Sequence, residues 1–382
     1  MVAAPLSPQQ ISAATATVAA WEALASSPLP SRRQEDWRFT DASRLAAIEP
    51  HCWTGPDPFA GLVLPPGVSR LPADEAAALW QPLLLETGCD QHWPVRLNAG
   101  AEPARLALRI QADASPLASA ALTAELDAAA SRQLLAAQIL LVLDPGASFE
   151  LGLRLGAAAR SACSVVVGAV LAEQASLTLA LVASGHGDAA LLAHLPVLQA
   201  PGSRLALSTV SSGWSFSRIE PRVLQQQGAA HTRLRGLQWV GEDQLADTHS
   251  LVRFDGPDGV LDQLHKSVAD GNGRSVFNGA VQVPRAAQRT DAAQLSRSLL
   301  LGDRARIDTK PELEIVADDV RCAHGATVSQ LQSEELFYLQ SRGIARAQAS
   351  RLLLAGYCQE VLRELPAAAA AWKPVERELQ GA

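Results

Sequence analysis

Apolar and polar residues alternate along the middle of the chain, as they do in half-buried β-strands. The alternation is clear at residues 149–155, 177–181 and 205–207, while residues 164–171 are almost continuously apolar. Turn signals rich in Asp, Gly and Pro separate these stretches. No helical periodicity interrupts them, so the region from about residue 135 to about residue 330 is predicted to contain strands without intervening helices.

A repeat links these strands. Similar five-residue segments begin at positions 147, 175, 203 and 230, so their starts are 28, 28 and 27 residues apart. A nearly constant period of this size, with short strands in each unit, is typical of a β-solenoid whose coils stack at the strand spacing. About 195 residues at ~27 per coil predict roughly seven coils and ~35 Å of length. The alternative is a β-sandwich in which the spacing is a coincidence.

The regions on either side of the repeat differ in character. We predict three parts: a helical and irregular domain at residues 1–130, a β-helix core at 131–330 and a helical domain at 331–382. Ser7, Pro8 and Gln10 predict the start of a first helix that continues to about residue 30. Residues 73–86 are the best helix candidate in the proline-rich stretch that follows. Because a solenoid has open ends, we expect the helical regions to cap them.

Two helices are predicted near the C-terminus. Ser333 is expected to cap the first, and Gly343 to end it in a left-handed conformation. The second is predicted from about Arg346 to Leu365, where Pro366 ends it. Its residues at helical spacing form an apolar stripe: Ala349, Leu353, Tyr357, Val361 and Leu365.

Charge and hydropathy exclude several classes of partner. The 39 acidic and 32 basic side chains give a formal charge of −7, which argues against nucleic acid because phosphate binding needs a basic face. No apolar run approaches the ~20 residues of a membrane span, so no membrane partner is expected. No basic residue precedes Arg32, so we expect neither a signal peptide nor an Arg-rich transit peptide. We therefore expect a cytoplasmic protein.

The cysteines are few and scattered. The chain contains five and no Cys-x-x-Cys pair, which excludes a zinc ribbon, a thioredoxin-type site and a local cluster-binding motif. A sparse, odd set fits a reducing compartment. The five are Cys52, Cys89, Cys163, Cys322 and Cys358.

Cys322 and His324 are the first candidates for chemistry. Side chains two positions apart on a strand share a face, so the thiol and the imidazole could reach one metal ion or one partner surface. Together they suit iron–sulfur species, Zn²⁺ or Cu⁺. Two ligands do not complete a tetrahedral site, so the others would come from elsewhere in this chain or from another chain. The alternative is a half-buried thiol beside a hydrogen-bonded histidine.

A second polar group contains His249 with Asp247 and His265 with Asp262. A histidine beside a carboxylate can act as a general base, and the alternative is that the two satisfy each other on a solvated face. The chain has no GxxxxGK[ST] loop, no GxSxG elbow and no HExxH motif. We therefore do not expect it to hydrolyse nucleotides itself.

A series of short strings runs from Val276 to Ile344, and Glu35-Asp36-Trp37-Arg38-Phe39-Thr40 stands near the N-terminus. Together these strings resemble the SufB/SufD family of iron–sulfur cluster assembly proteins, with the dense match covering about 70 residues. In chain order the later strings are Phe277-Asn278-Gly279, Gln288-Arg289-Thr290-Asp291-Ala292, Leu299-Leu300-Leu301, Thr309-Lys310-Pro311-Glu312-Leu313-Glu314-Ile315, Asp318-Asp319-Val320, Cys322-Ala323-His324-Gly325-Ala326-Thr327, Leu336-Phe337-Tyr338-Leu339 and Ser341-Arg342-Gly343-Ile344.

Two features resemble the SufD branch of this family more than the SufB branch. The Cys-x-His-Gly-Ala-Thr string is SufD-like. No cysteine lies between Cys163 and Cys322, where SufB carries a cysteine-bearing segment. Ala323 and Ser329 depart from the SufD pattern beside the motif but leave its cysteine and histidine in place.

The resemblance implies a fold and a set of partners. The fold is a right-handed β-helix flanked by helical domains. The function is that of a non-catalytic scaffold, paired with a SufB-like paralogue and docking the SufC-like ABC ATPase, in a complex that builds a transient iron–sulfur cluster. A reduced flavin is associated with the assembled complex. Without the paralogue, a homodimer is the alternative assembly.

The resemblance also implies where these partners bind. The paralogue is expected along the late coils near Cys322 and His324, which would be metal ligands in a site shared between the two chains. The ATPase is expected on the C-terminal helices, where Leu353 and Tyr357 face either the ATPase or the domain's own core. The candidate docking residues are Leu336, Phe337, Tyr338, Arg342, Leu353 and Tyr357.

Two other functions compete with the scaffold. One is a solenoid hydrolase or lyase acting on polysaccharide, which would present carboxylates in an open groove. The other is a purely structural interaction protein without a metal role.

Overall fold

The computed structural model describes residues 18–48, 51–53, 55–112, 120–129 and 132–381. Most of them belong to long parallel strands. The strands in chain order are β1 (His51–Cys52), β2 (Val68–Arg70), β3 (Ala104–Ile110), β4 (Ala120–Ala128), β5 (Gln133–Leu143), β6 (Ser148–Ala157), β7 (Ala162–Leu171), β8 (Ser176–Gly185), β9 (Ala190–Gln199), β10 (Arg204–Ser212), β11 (Phe216–Gln225), β12 (His231–Val240), β13 (Leu245–Phe254), β14 (Val260–Ala269), β15 (Arg274–Val283), β16 (Asp291–Leu300), β17 (Arg306–Ile315) and β18 (Arg321–Ser329).

Helices flank the strands on both sides in the chain. Two short 3₁₀ helices, Glu35–Trp37 and Ala42–Ala47, follow the first α-helix. The α-helices are α1 (Val18–Ala25), α2 (Ala73–Glu86), α3 (Trp93–Gly100), α4 (Ser333–Ser341), α5 (Arg346–Leu362), α6 (Ala367–Ala370) and α7 (Glu376–Gly381). The prediction for α2 is confirmed at both ends, whereas the predicted start at Ser7 lies outside the described residues.

The strands form a parallel β-solenoid with two sheets. Sheet A contains β1, β2 and the odd-numbered strands from β3 to β17, and sheet B contains the even-numbered strands from β4 to β18. Seven successive parallel pairings join the eight strands of sheet B, in agreement with the roughly seven coils predicted. The predicted mainly-β solenoid is therefore confirmed. Because β3 and β4 already belong to these sheets, the stacked strands begin nearer the N-terminus than residue 131.

The sequence period is the register of sheet B. Ser148 pairs with Ser176, Ser176 with Arg204, and Arg204 with His231, which reproduces the steps of 28, 28 and 27 residues. The same inward position therefore recurs one coil later, and its side chains stack in a ladder. One ladder runs through Leu122, Leu151, Leu179, Leu207, Leu234, Gln263, Gln294 and His324.

The interior changes from aliphatic to polar along the solenoid. The early coils are filled by leucines such as Leu151 and Leu179, which are fully buried. In the later coils, Gln294 Nε2 donates to Gln263 Oε1 at 2.9 Å, and Gln263 Nε2 donates to Ser250 Oγ at 2.7 Å. Buried amides need such partners, so these bonds fix the register of the late coils.

The flanking helices cover the outer faces of the two sheets. Trp21 and Leu97 from the N-terminal region pack against Leu192 and Phe216 of sheet A. Leu354 and its neighbours on α5 pack against the outward side chains of sheet B. The described helices therefore cover the outward faces of both sheets, whose apolar residues need cover from water. Phe59 of the N-terminal region is in addition fully buried in the main core of the solenoid. In the last coil, most residues of β18 are exposed.

Candidate functional site

Cys322 and His324 lie at the last rung of the solenoid. Cys322 pairs with Ala292 and His324 with Gln294, and both partners belong to the buried inward row of β16. The two candidate residues therefore share one face, as predicted from their spacing. No further strand pairs with β18 among the described residues, so this inward face ends at an open coil.

The two side chains differ in their surroundings. Cys322 is half-buried and packs against the main core of the solenoid, whereas His324 is exposed. Burial raises the pKa of the Cys322 thiol, and an opposing hydrogen bond with the Ala292 backbone lowers it less. The thiol is therefore protonated at neutral pH, and a metal ion would have to displace its proton.

The described residues do not complete a metal site around this pair. Within the described ranges, the one group of three His, Cys, Asp or Glu ligand atoms that approach within 4.8 Å of one another lies elsewhere, on sheet A. The described part of the chain therefore offers Cys322 and His324 no such third ligand.

The strings next to this pair have structural roles. Arg289 makes a bidentate ion pair with Asp258, with both distances 2.7 Å, and its backbone N–H donates to Asp319 O at 2.6 Å. Gln288 Oε1 accepts from the backbone N–H of Asp319 at 3.0 Å. These bonds tie the turns of three successive coils together, and the last of these turns leads into β18.

The N-terminal string is docked on the outward face of sheet A. Lys310 Nζ of β17 lies 2.6 Å from Glu35 Oε1 and also pairs with Glu312. The Trp37 ring lies against Arg218, and the Thr40 hydroxyl donates to the Asp247 carboxylate. The two parts of the sequence that resemble the SufB/SufD family are thus in direct contact.

A buried cluster of charges lies beneath that string. The Arg218 guanidinium donates to Glu220 Oε1 and, over 2.6 Å, to Asp247 Oδ2, and all three side chains are at most 1% exposed. Burial opposes ionisation of Glu220, but the Arg218 guanidinium outweighs it and holds the pKa of Glu220 well below its usual range. Burial likewise opposes ionisation of Asp247, yet His249 and Arg218 lower its pKa. Both carboxylates are therefore ionised in the folded protein.

The two predicted histidine–carboxylate pairs have different outcomes. His249 Nδ1 lies 3.0 Å from Asp247 Oδ1, so this pair exists, but it is buried under the N-terminal string rather than solvated. His265 does not pair with Asp262, whose carboxylate binds Arg235 at 2.6 Å. His265 stacks on Phe277 inside the solenoid with a centroid separation of 4.3 Å, and burial lowers its pKa to about 3.

The C-terminal docking candidates divide by burial. On α4, Phe337 is 72% exposed and Tyr338 is 56% exposed, and the Arg342 guanidinium lies over the Tyr338 ring at 4.5 Å. Leu336 is buried, so it cannot be a contact residue without a rearrangement.

Gln332, not Ser333, precedes the first helical residue of α4 and makes no side-chain capping bond, so the predicted cap is wrong. Gly343 has φ +83° and follows the end of α4, as predicted.

The predicted stripe on α5 is confirmed at Ala349, Val361 and Leu365, which are buried, but it is wrong at Leu353. Leu354 and Cys358 are buried instead, whereas Leu353 is only half-buried. The Tyr357 hydroxyl donates to Arg297 O at 2.6 Å, and Lys266 Nζ lies 4.1 Å from the centre of its ring. Tyr357 is therefore held within the chain. Leu352 was missed by the sequence reasoning and is 49% exposed.

The fold and this end of the solenoid define a class of protein: a two-sheet parallel β-solenoid with a Cys-x-His pair on its last strand. The sequence model described as "SUF system FeS cluster assembly, SufBD core domain" matches residues 126–357. That match covers more than half of the chain, and the chain belongs to the SufBD family.

Relatives agree with this assignment. The chain is 41% identical over 198 residues to an iron–sulfur cluster assembly SufBD family protein of Synechocystis, covering 52% of this chain and 44% of that protein. It is 42% identical over 171 residues to protein ABCI7, chloroplastic, of Arabidopsis thaliana, covering 44% and 36%. It is 38% identical over 133 residues to the iron–sulfur cluster assembly protein SufD of Escherichia coli, covering 35% and 31%. The matches span less than half the length of these relatives.

None of the described helices is long and apolar enough to cross a membrane.

Proposed function

We propose that this chain is a non-catalytic scaffold subunit of an iron–sulfur cluster assembly complex. Its partners are a SufB-like paralogue and a SufC-like ABC ATPase, and the cluster is the transient cargo of the complex. The observation that carries the proposal is the position of Cys322 and His324. They end two inward ladders at an open coil, and no third such ligand joins them among the described residues.

The open edge of the solenoid is the proposed contact for the paralogue. Each of β17 and β18 has a free edge, because neither pairs with a further strand in the described structure. An unpaired edge is a template for strand addition, and Ile315, Val316 and Val328 add exposed apolar surface there. A second chain on this edge would bring its own ligands to the thiol and the imidazole.

The helices α4 and α5 form a helical hairpin, which is the proposed contact for the ATPase. Phe337, Tyr338 and Leu352 are large apolar side chains that α4 and α5 leave exposed, while the opposite face of α5 packs on sheet B. Exposed aromatic side chains next to an arginine are typical of binding surfaces. The reduced flavin implied by the resemblance is proposed as a property of the assembled complex and is assigned to no residue of this chain.

The polysaccharide hydrolase is less well supported. Such an enzyme needs two accessible carboxyl groups in a groove. Glu220 and Asp247 on sheet A are instead buried and paired with Arg218.

Co-expression tests the proposal. A tagged copy of this chain should recover a SufB-like paralogue and a SufC-like ATPase together. The double variant Phe337→Ser/Tyr338→Ser should lose the ATPase but keep the paralogue. The matched control is Leu85→Ser, because Leu85 is 55% exposed on α2, away from the hairpin. Equal recovery of the ATPase by the double variant would contradict the proposed docking surface, and recovery of neither partner by the unaltered chain would contradict the scaffold.

A further inference from the structure

Two histidines and a glutamate meet on the outward face of sheet A, far in sequence from Cys322. His194 and Glu220 are register partners on β9 and β11, and His92 precedes the first residue of α3. The three donor atoms, His92 Nδ1, His194 Nε2 and Glu220 Oε2, form a triangle with sides of 3.2, 3.2 and 3.3 Å.

The size of this triangle matches a metal site. Zinc and similar ions bind imidazole nitrogen and carboxylate oxygen at about 2.0–2.2 Å in tetrahedral geometry. Two ligand atoms at tetrahedral positions around such an ion are then about 3.3 Å apart. The observed triangle therefore needs little rearrangement to become one face of a coordination tetrahedron.

Glu220 Oε2 is buried and lies 3.2 Å from His92 Nδ1 and 3.3 Å from His194 Nε2, but neither contact has the geometry of a hydrogen bond. An ionised, buried oxygen without a hydrogen bond is costly and calls for an explanation. The neighbouring Arg218 holds the other carboxylate oxygen, Oε1, and so fixes the direction of Oε2. A ligating carboxylate is held in the same way in known metal sites.

The exposure of the three side chains shows where an ion would enter. The side chain of His92 is 18% exposed, whereas those of His194 and Glu220 are 1% exposed. An ion would therefore enter beside His92, where a fourth ligand can also bind. Arg222 Nη2 lies 3.6 Å from Glu220 Oε2, and its positive charge repels a cation at this site. The site therefore suits an ion that forms strong bonds to imidazole nitrogen, rather than one held by charge alone.

We propose that His92, His194 and Glu220 form a mononuclear site for a divalent first-row transition-metal ion of the Zn²⁺ or Fe²⁺ class, with an open fourth position beside His92. The site is separate from the Cys322–His324 pair and does not depend on the proposed scaffold function. A two-histidine, one-carboxylate set with an open position is used by both ions.

Direct titration tests this site. The full chain is treated with a chelator to remove bound metal, and the chelator is then removed. The chain is titrated with Zn²⁺ by calorimetry and with Co²⁺ by absorbance. We expect one equivalent of each ion to bind, with tetrahedral Co²⁺ bands but without the charge-transfer band of a cobalt–thiolate. An anaerobic Fe²⁺ arm and metal analysis of the chain as purified distinguish the two physiological ions.

Variants assign the binding to these residues. His92→Gln should weaken Zn²⁺ binding by about 100-fold or more, since even outer-shell changes cost roughly 10–100-fold. His92 makes no capping bond and is the most exposed of the three, so this variant should fold. His231→Gln is the matched control, because His231 is an exposed histidine on sheet B. Cys322→Ser/His324→Ala should retain the site.

A rise in melting temperature with Zn²⁺ should accompany binding in the unaltered chain and be absent in His92→Gln. Absence of stoichiometric binding of Zn²⁺, Co²⁺ and Fe²⁺, or equal affinity of the unaltered chain and His92→Gln, would overturn the assignment.

Discussion

The Arg218 guanidinium carbon lies 4.1 Å from the centre of the Trp37 ring, and the same guanidinium donates to Asp36 O at 2.8 Å. Arg218 therefore joins the N-terminal string to the middle of sheet A. A buried guanidinium on an indole face gains both stacking and cation–π stabilisation. The contact holds the N-terminal string on sheet A, although Asp36 and Arg218 are 182 positions apart in the chain.

Loss of Arg218 should destabilise the protein strongly. Arg218→Met leaves Glu220 and Asp247 buried without the guanidinium that they share, and we expect a loss of about 3–5 kcal/mol in the free energy of unfolding. Urea denaturation at pH 7 measures it. The control is Arg233→Met, whose exposed pair with Asp262 should contribute no more than about 1 kcal/mol. Similar losses in the two variants would contradict this account of the cluster.

The sequence predicts the solenoid well because its coils repeat. Strand alternation and the steps of 28, 28 and 27 residues give the register of sheet B directly. The same alternation does not show which outward residues are covered by other segments, since a polar residue that faces water and one that faces a covering segment give the same sequence pattern. Arg218 and Glu220 stand in such outward positions, and only the three-dimensional structure shows that Trp37 covers Arg218 and that Glu220 is buried beside it.

Stability should fall on mild acidification because two histidines are buried as neutral rings. Burial lowers the pKa of His194 to about 4 and that of His265 to about 3. Below pH ~6.5 both rings take up protons in the unfolded chain but not in the folded one, so the folded state loses stability as the pH falls towards these values. From pH 7 to pH 5 we expect a loss of about 2 kcal/mol for each histidine.

Urea unfolding at pH 7 and pH 5, with a chelator present, measures this dependence. Neither ring nitrogen of His265 has a hydrogen-bond partner, so His265→Leu removes a titrating group without breaking a bond. In this variant, the loss in the free energy of unfolding between pH 7 and pH 5 should be roughly half of that caused by the two rings together. An unchanged loss in His265→Leu would show that the His265 ring does not cause the pH dependence.

Gly279 should not tolerate a larger side chain. A Cβ atom at this position would meet Gln294 Nε2 at 2.4 Å and the Phe277 ring at 2.7 Å. We therefore expect Gly279→Ala to cost about 1–3 kcal/mol of stability through overpacking. Gly356→Ala is the matched control: no atom lies within 4 Å of its added Cβ, and an alanine inside a helix should stabilise by up to about 1 kcal/mol. Thermal melts of both variants give the comparison. A higher melting temperature in both variants would contradict the close contacts at Gly279.

The core of the C-terminal region should depend on Leu354 rather than on Leu353. Leu354 is 1% exposed and packs between α5 and sheet B, so Leu354→Ala should cost about 2–5 kcal/mol. Leu353 is half-buried, and Leu353→Ala should cost less than half as much. Chemical denaturation of the two variants decides between the stripes. A larger loss for Leu353→Ala would restore the stripe predicted from the sequence.

The two candidate sites differ in how far the sequence reveals them. Cys322 and His324 stand two positions apart on one strand, so their shared face follows from strand geometry alone. His92, His194 and Glu220 come from a helix start and two strands, and their meeting depends on how α3 lies against sheet A. No local pattern marks such a site. The error at Leu353 has a simpler cause: a stripe read at every fourth residue drifts from the 3.6-residue turn and passes over Leu354.

Iron and acid-labile sulfide in the co-expressed complex test the central claim most directly. The complex is purified anaerobically with this chain unaltered, with His324→Ala, and with His231→Ala as a matched exposed-histidine control. We predict that His324→Ala leaves assembly and the melting temperature nearly unchanged but removes most of the iron and sulfide, that Cys322→Ser has a smaller effect, and that His231→Ala has none. Normal iron and sulfide in the His324→Ala complex, or its failure to assemble, would contradict the role of the open solenoid end as a shared cluster site.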